Sequence, residues 1–255
     1  MENEKKGVLP MSHDTTLSKN QYLKTADERV QMSGVPYASA IGSIMYAMIC
    51  TRPDVSYALS VISRYQSDPG LAHWAAVKNI LKYLRRTKVM LLAYGGDEEL
   101  VVNGYTDASF MIDIDDYKSQ SGYVFTLNGG AVVSKSFKQN TIADSTTEAE
   151  YIVALEASME AVWIKKFLEE VCVVPSAMNP MALYCDNSGA IAQAREPRSH
   201  MKTSKYHIIR QHVEKGFVKV LKVHTDFNVS DLMTKALPRA KHEQHRVAIG
   251  VKETM

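Results

Sequence analysis

The sequence has little cysteine. Cys50, Cys172 and Cys185 are the 3 in 255 residues, widely spaced and without a CxxC pair. That pattern argues against structural zinc and suits a reducing compartment. A dominant sign of charge is also absent. Lys and Arg number 30 against 28 Asp and Glu, a formal net charge of +2. So small a total says nothing about partners, and nucleic-acid contacts must be sought in local clusters. The N-terminus, Met1-Glu2-Asn3-Glu4-Lys5-Lys6, has no apolar core and is no signal peptide. The most apolar run, residues 35–50, is short for a membrane span and carries small residues, so it reads as a buried helix. An intracellular, cytoplasmic protein without a membrane partner is expected.

Hydrophobic residues make up 45% of the chain, enough for a real core. The length suits one large domain or two small ones. Residues 1–34 are polar, show no period and read as an irregular lead-in. Residues 36–51 are helical by composition, and Arg52-Pro53-Asp54 ends that helix and opens another over 55–65. Ser67-Asp68-Pro69-Gly70 is a turn. A third helix follows over 71–86, with Trp74, Val77, Ile80, Leu81 and Leu84 on one face. Its other face offers Lys78, Lys82, Arg85, Arg86 and then Lys88, either a solvated face or a surface that tracks phosphates. Residues 35–98 thus form a helical unit.

A second domain is expected over 99–240, with a tail at 241–255. Its first strand ends at Asp107. Asp113-Ile114-Asp115-Asp116 reads as a solvated acidic connector. Residues 121–127 and 131–138 form a hairpin about Asn128-Gly129-Gly130. Strands at 181–186 and 217–224 make five, with a long helix between the third and fourth. The β-β-β-α-β-α-β order predicts an α/β (α+β mixed) fold, a mixed sheet with helices packed on it.

Acids mark the ends of these elements. Asp107 follows the first strand, Glu150 lies in the long helix, Asp186 follows Met181-Ala182-Leu183-Tyr184-Cys185, and Asp231 opens a late helix. One such Asp is a common turn residue. Four carboxylates at element ends can hold two magnesium ions, the arrangement for cutting a phosphodiester. Two glutamates compete for one of these places. Ser145-Thr146-Thr147-Glu148 fits a capping box, which gives Glu148 a structural task. At helical spacing Glu148 lies above Ile152, Leu155 and Met159, whereas Glu150 lies above Ala154, Ala157 and Ala161. Small residues let a helix approach a sheet closely, so Glu150 is the preferred ligand.

Cations gather late in the chain. Arg195, Arg198, His200, Lys202, Lys205, His207 and Arg210, with Tyr206 among them, suit a backbone-tracking surface with a stacking ring, or else a solvated loop. Asn187-Ser188-Gly189-Ala190 starts a helix whose amides could take a phosphate, or is a plain first turn. Lys135 and Lys138 could flank the substrate too. His224 reads as a structural strand-end histidine.

Four ordered motifs carry a family likeness: Tyr105-Thr106-Asp107-Ala108-Ser109, Asp144-Ser145-Thr146-Thr147-Glu148-Ala149-Glu150-Tyr151, Leu183-Tyr184-Cys185-Asp186-Asn187 and Val229-Ser230-Asp231-Leu232-Met233-Thr234-Lys235. In order and spacing they resemble the ribonuclease H segment of copia-type LTR retrotransposon Pol polyproteins. Val35-Pro36-Tyr37-Ala38-Ser39-Ala40-Ile41-Gly42-Ser43 and Thr51-Arg52-Pro53-Asp54-Val55 look like the end of the preceding reverse transcriptase. The resemblance implies a ribonuclease H-like five-stranded sheet and cleavage of the RNA strand of RNA–DNA hybrids with Mg2+, Mn2+ being the alternative. It implies that Asp107 bridges two ions, that Glu150 and Asp186 complete one site, and that Asp231 completes the other. Ser109, Lys135, Lys138, Asn187, Arg195, Arg198, Lys202, Lys205, Tyr206, His207 and Arg210 would contact the hybrid. The rest of a Pol polyprotein becomes a partner, and a virus-like particle or the nucleus a further location. The chain departs from the family where Val133-Ser134-Lys135-Ser136 replaces Ser-Trp-Lys-Ser, and where Tyr206-His207 directly follows Ser204-Lys205. It has no polymerase Tyr-x-Asp-Asp. These departures leave room for a catalytically decayed nucleic-acid-binding module of the same fold. A different two-metal nuclease of that fold class is the third reading.

Overall fold

A computed structural model describes residues 7–95, 100–172, 174, 179–195 and 205–253, with only the backbone of Lys205 and Tyr206. Helices come first: α1 (Ala26–Ser33), α2 (Tyr37–Cys50), α3 (Ser56–Ser63) and α4 (Leu71–Arg86). They enclose a core of Tyr37, Ile41, Ile44, Val55, Leu59, Ile62, Val77, Ile80 and Tyr83. Pro53 stands in the first turn of a 3-10 segment, Pro53–Val55, that leads into α3. Helix α4 has the bounds that its apolar spacing predicts. Its deepest residues include His73, Ala76 and Tyr83, while Trp74, Leu81 and Leu84 are only partly buried.

The lead-in is more ordered than its polar composition suggests. Ser18 caps a 3-10 turn at Lys19–Gln21, and Thr25 with Glu28 forms a capping box on α1. A box of that kind starts a helix without any apolar period. The expected tail is also structured. Helix α8 (Arg239–Ala248) and strand β7 (Val251–Glu253) follow, and β7 pairs antiparallel with β1 (Met90–Leu92).

The main sheet contains β2 (Val102–Ser109), β3 (Gln120–Leu127), β4 (Gly130–Lys138), β5 (Met181–Cys185) and β6 (Val218–Lys222), in the order β4-β3-β2-β5-β6. The hairpin neighbours are antiparallel, and β2, β5 and β6 run parallel. This is the five-stranded mixed sheet with flanking helices that the ribonuclease H likeness implies. Helices α5 (Thr146–Val171), α6 (Ser188–Arg195) and α7 (Lys205–Glu214) complete the chain.

Alternation along each strand decides what meets each face. Tyr123, Phe125 and Leu183 pack with Val153, Ala157, Ala161 and Ile164 of α5. Val124 and Tyr105 face the other way, against Val229, Leu232, Met233, Ile249 and Val251. The alanines of α5 are fully buried, as close approach to the sheet requires. Where a late helix was expected at Asp231, the chain forms a 3-10 segment, Val229–Met233, lying flat on the second face. Gly122 permits this. A Cβ there would stand 2.3 Å from Met233 Cβ and 2.9 Å from Thr234 Cγ2.

The acidic loop is no solvated connector throughout. Asp113 is buried and pairs with Arg64 at 2.5 Å and Lys138 at 3.2 Å. Asp115 accepts the Ser18 hydroxyl at 2.7 Å and the Lys19 amide at 3.0 Å. Among the described residues no single helix is long and apolar enough to cross a membrane.

Candidate active site

Strand β2 runs two residues past Asp107, so this acid sits within the strand, not at its end. By strand alternation it shares a face with Tyr105, the face covered by the 3-10 segment. Asp107 is 3% exposed. Its Oδ2 accepts the Thr234 hydroxyl and lies 3.3 Å from Lys235 Nζ. Burial, then the charges of Asp231 and Asp186, push its carboxyl up to about 6, against the pull of Lys235.

Glu150 projects from α5 toward β2, where its Oε1 accepts the Ala108 amide at 3.1 Å. Burial and the nearby Asp107 and Asp186 push it up to about 9. Asp186 follows β5, whose Cys185 is in register with Thr106 of the neighbouring parallel strand. It is only partly buried, so the cluster opens to solvent on that side. Carboxylate oxygens of Glu150 and Asp186 and the Cys185 sulfur all lie within 4.8 Å of one another. The thiol is pushed up to about 12 by burial and by Glu150, which keeps it neutral. Carboxylate oxygens are hard donors that suit Mg2+ or Mn2+. Proton affinities raised by burial and by neighbouring carboxylates mark a place where a cation could stand in for the protons.

Asp231 is fully buried and shares Lys235 with Asp107. Its Oδ1 lies 2.6 Å from Lys235 Nζ and its Oδ2 2.6 Å from Lys241 Nζ, with His245 Nε2 at 4.0 Å. Asn228 anchors the segment by donating to the Thr106 carbonyl at 2.8 Å, and it accepts Ser230 Oγ at 2.6 Å. Asn228 and Lys241 had no part in the sequence reading, and Thr234 and Lys235 entered it only as members of the fourth motif, with no task of their own. The Asp231–Lys235 spacing of four was the available signal for one of them.

Glu148 behaves as a cap residue. Its amide donates to Ser145 Oγ at 3.1 Å, and its Oε2 accepts the Asp144 amide at 2.7 Å, one residue before the cap.

The expected nucleic-acid contacts divide. Ser109 ends β2, partly exposed beside the acids. Lys135 lies over the Phe137 ring at 4.7 Å and 3.9 Å from Glu156. Lys138 is held by Asp113 and, at 2.9 Å, by Asp116. Asn187 caps α6 by accepting the Ala190 amide at 3.0 Å. Arg195 donates to the Val220 carbonyl. Arg210 is a correction: it is buried, with its Nε on the Gln193 carbonyl at 3.0 Å, because α7 turns it toward α6 and away from solvent. His207 is exposed on α7. Lys205 and Tyr206 open α7, while Arg198, His200 and Lys202 lie outside the described residues. His224 accepts the Asp226 amide at 3.2 Å and caps a local turn.

No family model matches the chain. It is 42% identical over 255 residues to the retrovirus-related Pol polyprotein from transposon TNT 1-94 of Nicotiana tabacum, covering 98% of this chain and 19% of that protein. It is 35% identical over 219 residues to the Pol polyprotein from transposon RE2 of Arabidopsis thaliana, covering 84% of this chain and 15% of the relative. The chain therefore spans a fifth or less of these polyproteins. It is also 47% identical over 135 residues to secreted RxLR effector protein 161 of Plasmopara viticola, covering 52% of this chain and 94% of that protein. Among solved structures, the N-terminal RNase H domain of Rv2228c from Mycobacterium tuberculosis aligns at 13% identity and a TM-score of 0.39, covering 58% of this chain and 96% of that one.

Proposed function

The chain belongs to the retrovirus-related Pol polyproteins of transposons, and from that premise we propose that it is their ribonuclease H segment, cutting the RNA strand of RNA–DNA hybrids with Mg2+ or Mn2+. One observation carries the reading: Asp107, Glu150 and Asp186 converge from two parallel strands and a helix, with two of their carboxyls pushed well above the usual range. Structural carboxylates at surface turns do not meet in this way.

Asp107, Glu150, Asp186 and Asp231 would hold the cations. A divalent ion bound there would activate a water and neutralise the leaving oxygen. The chain's own work is orientation. The Ala108 amide fixes Glu150 Oε1, and the Thr234 hydroxyl fixes Asp107. Partly exposed Asp186 marks the side from which a phosphodiester approaches. The hybrid would be read through its shape and 2′-hydroxyls, with little base specificity. The rest of the polyprotein is the natural partner, and the cytoplasm, a virus-like particle or the nucleus the place of action.

The test sets RNA–DNA hybrid, duplex RNA and duplex DNA side by side with Mg2+, Mn2+ or EDTA. Hybrid cleavage with internal products and a metal requirement is expected. Binding without cleavage under all conditions would point to the decayed binding module, and cleavage of duplex DNA to a different nuclease of the same fold.

A further inference from the structure

The two halves of the acidic cluster are not equivalent. In the Glu150–Asp186 half no ammonium pairs with a carboxylate among the described residues, Lys222 Nζ being held on the Asp186 main-chain carbonyl, and this half opens to solvent. In the Asp107–Asp231 half, Lys235 Nζ lies 3.3 Å from Asp107 Oδ2 and 2.6 Å from Asp231 Oδ1. The other oxygen of Asp231 is met by Lys241 Nζ at 2.6 Å. A buried carboxylate without compensation is costly, and here the chain itself supplies the compensation. Lys235 can leave. Its side chain is 34% exposed and stands four residues from Asp231, at the end of a 3-10 turn, with no other ion-pair partner among the described residues.

We propose that Lys235 is the resident counter-cation of the Asp107–Asp231 half, so that divalent ions load in sequence, the first at Glu150–Asp186 and the second only by displacing the Lys235 ammonium. This rests on the divalent-ion reading given above. The second ion must compete with a tethered charge already in contact with both carboxylates. The first enters a half in which no ammonium pairs with either carboxylate among the described residues.

The experiment is a Mn2+ titration of the full chain, followed by the electron paramagnetic resonance of free Mn2+ and by calorimetry. Wild type should show two classes of site. In Lys235→Met the weaker class should tighten by roughly tenfold or more, the scale of one unit charge removed at contact distance. Lys252→Met, the same charge change on exposed β7, should leave both classes unchanged. Lys235→Arg keeps the charge and adds a fork suited to two carboxylates, so it should weaken the second class further. It also carries the test should Lys235→Met fail to fold. Two equally tight sites in wild type, or a split that neither Lys235 variant alters, overturns the inference while leaving the divalent-ion reading intact. No Mn2+ binding by any variant overturns both.

Discussion

Glu148 and Glu150 stand two positions apart on one helix and face different work. The first accepts a free amide before the helix, and the second is 5% exposed beside two other acids. Glu150→Gln should lower hybrid cleavage by at least about a hundredfold, the usual order for a group that acts on the transition state. Glu148→Gln keeps an oxygen acceptor for the Asp144 amide, so stability and cleavage should both stay nearly unchanged. Equal losses of rate would show that the roles are assigned wrongly. The same burial sets a pH dependence. Folded Glu150 keeps its proton up to about 9, against an ordinary 4.5. Over that interval the folded state binds more protons than the unfolded one, so its contribution is greatest below 4.5 and is lost as pH rises through about 9. In EDTA the Tm of wild type should therefore fall between about pH 7 and pH 9.5 more steeply than that of Glu150→Gln. Parallel curves would mean that Glu150 is already ionised at neutral pH. That Asp107, Glu150 and Asp186 would stand near one another was legible in the sequence, because each falls beside a strand end or on the alanine face of the long helix. Asn228 and Thr234 were not, because a side chain that orients a neighbour through one hydrogen bond has no spacing of its own.

Elements with strong local signals were the readable ones. Turn residues bracket α4, and Asn128-Gly129-Gly130 announces the hairpin, with φ of 49° at Asn128 and 76° at Gly129. The 3-10 segment at Val229–Met233 was misread as a helix start because its shape comes from the sheet beneath it, where Gly122 lets Met233 settle. Strands β1 and β7 are three residues each and are joined only through folding, so no local pattern reveals them. The acidic loop was misjudged for a related reason: its partners Arg64 and Ser18 are distant in sequence. Asp113→Asn leaves Arg64 and Lys138 facing a neutral amide in a buried place. It should cost about 3 kcal/mol, the usual order for breaking a buried pair from one side. Chemical denaturation of the metal-free protein measures this, and a loss under about 0.5 kcal/mol would return the loop to the status of a solvated connector.

At the scale of the molecule, the helical part and the sheet are tied at several separate places. Asp113 holds Arg64 of the α3 end, and Asp115 holds the Ser18 turn. His242 of α8 packs edge-on against Tyr83 of α4 at 5.7 Å between ring centres. The strand β1, which follows α4, pairs with β7, and Arg246 donates to the Val251 carbonyl at 2.8 Å. The segment that carries Asp231 and Lys235 lies between these ties, and Ala236 packs against the helical core. The sequence suggested two units meeting near residue 98, on the strength of a change from helical to alternating pattern. The contacts argue that the second unit cannot keep the segment that carries Asp231 in place without the first. We expect the full chain to unfold in one transition, and a fragment beginning at residue 99 to lose Arg64, Tyr83 and β1 together. That fragment exposes Ile249 and Val251, leaves buried Asp113 without its closest cation, and frees the 3-10 segment from one of its walls. Removing several buried contacts at a few kcal/mol each exceeds the margin of a typical domain. The fragment should therefore melt well below the full chain, bind a hydrophobic dye, and bind Mn2+ more weakly through loss of the Asp107–Asp231 alignment. Calorimetry and Mn2+ titration of both proteins decide the matter. A fragment with the Tm and ion affinity of the full chain would show that the sheet domain is self-sufficient and that these ties only position the helical part.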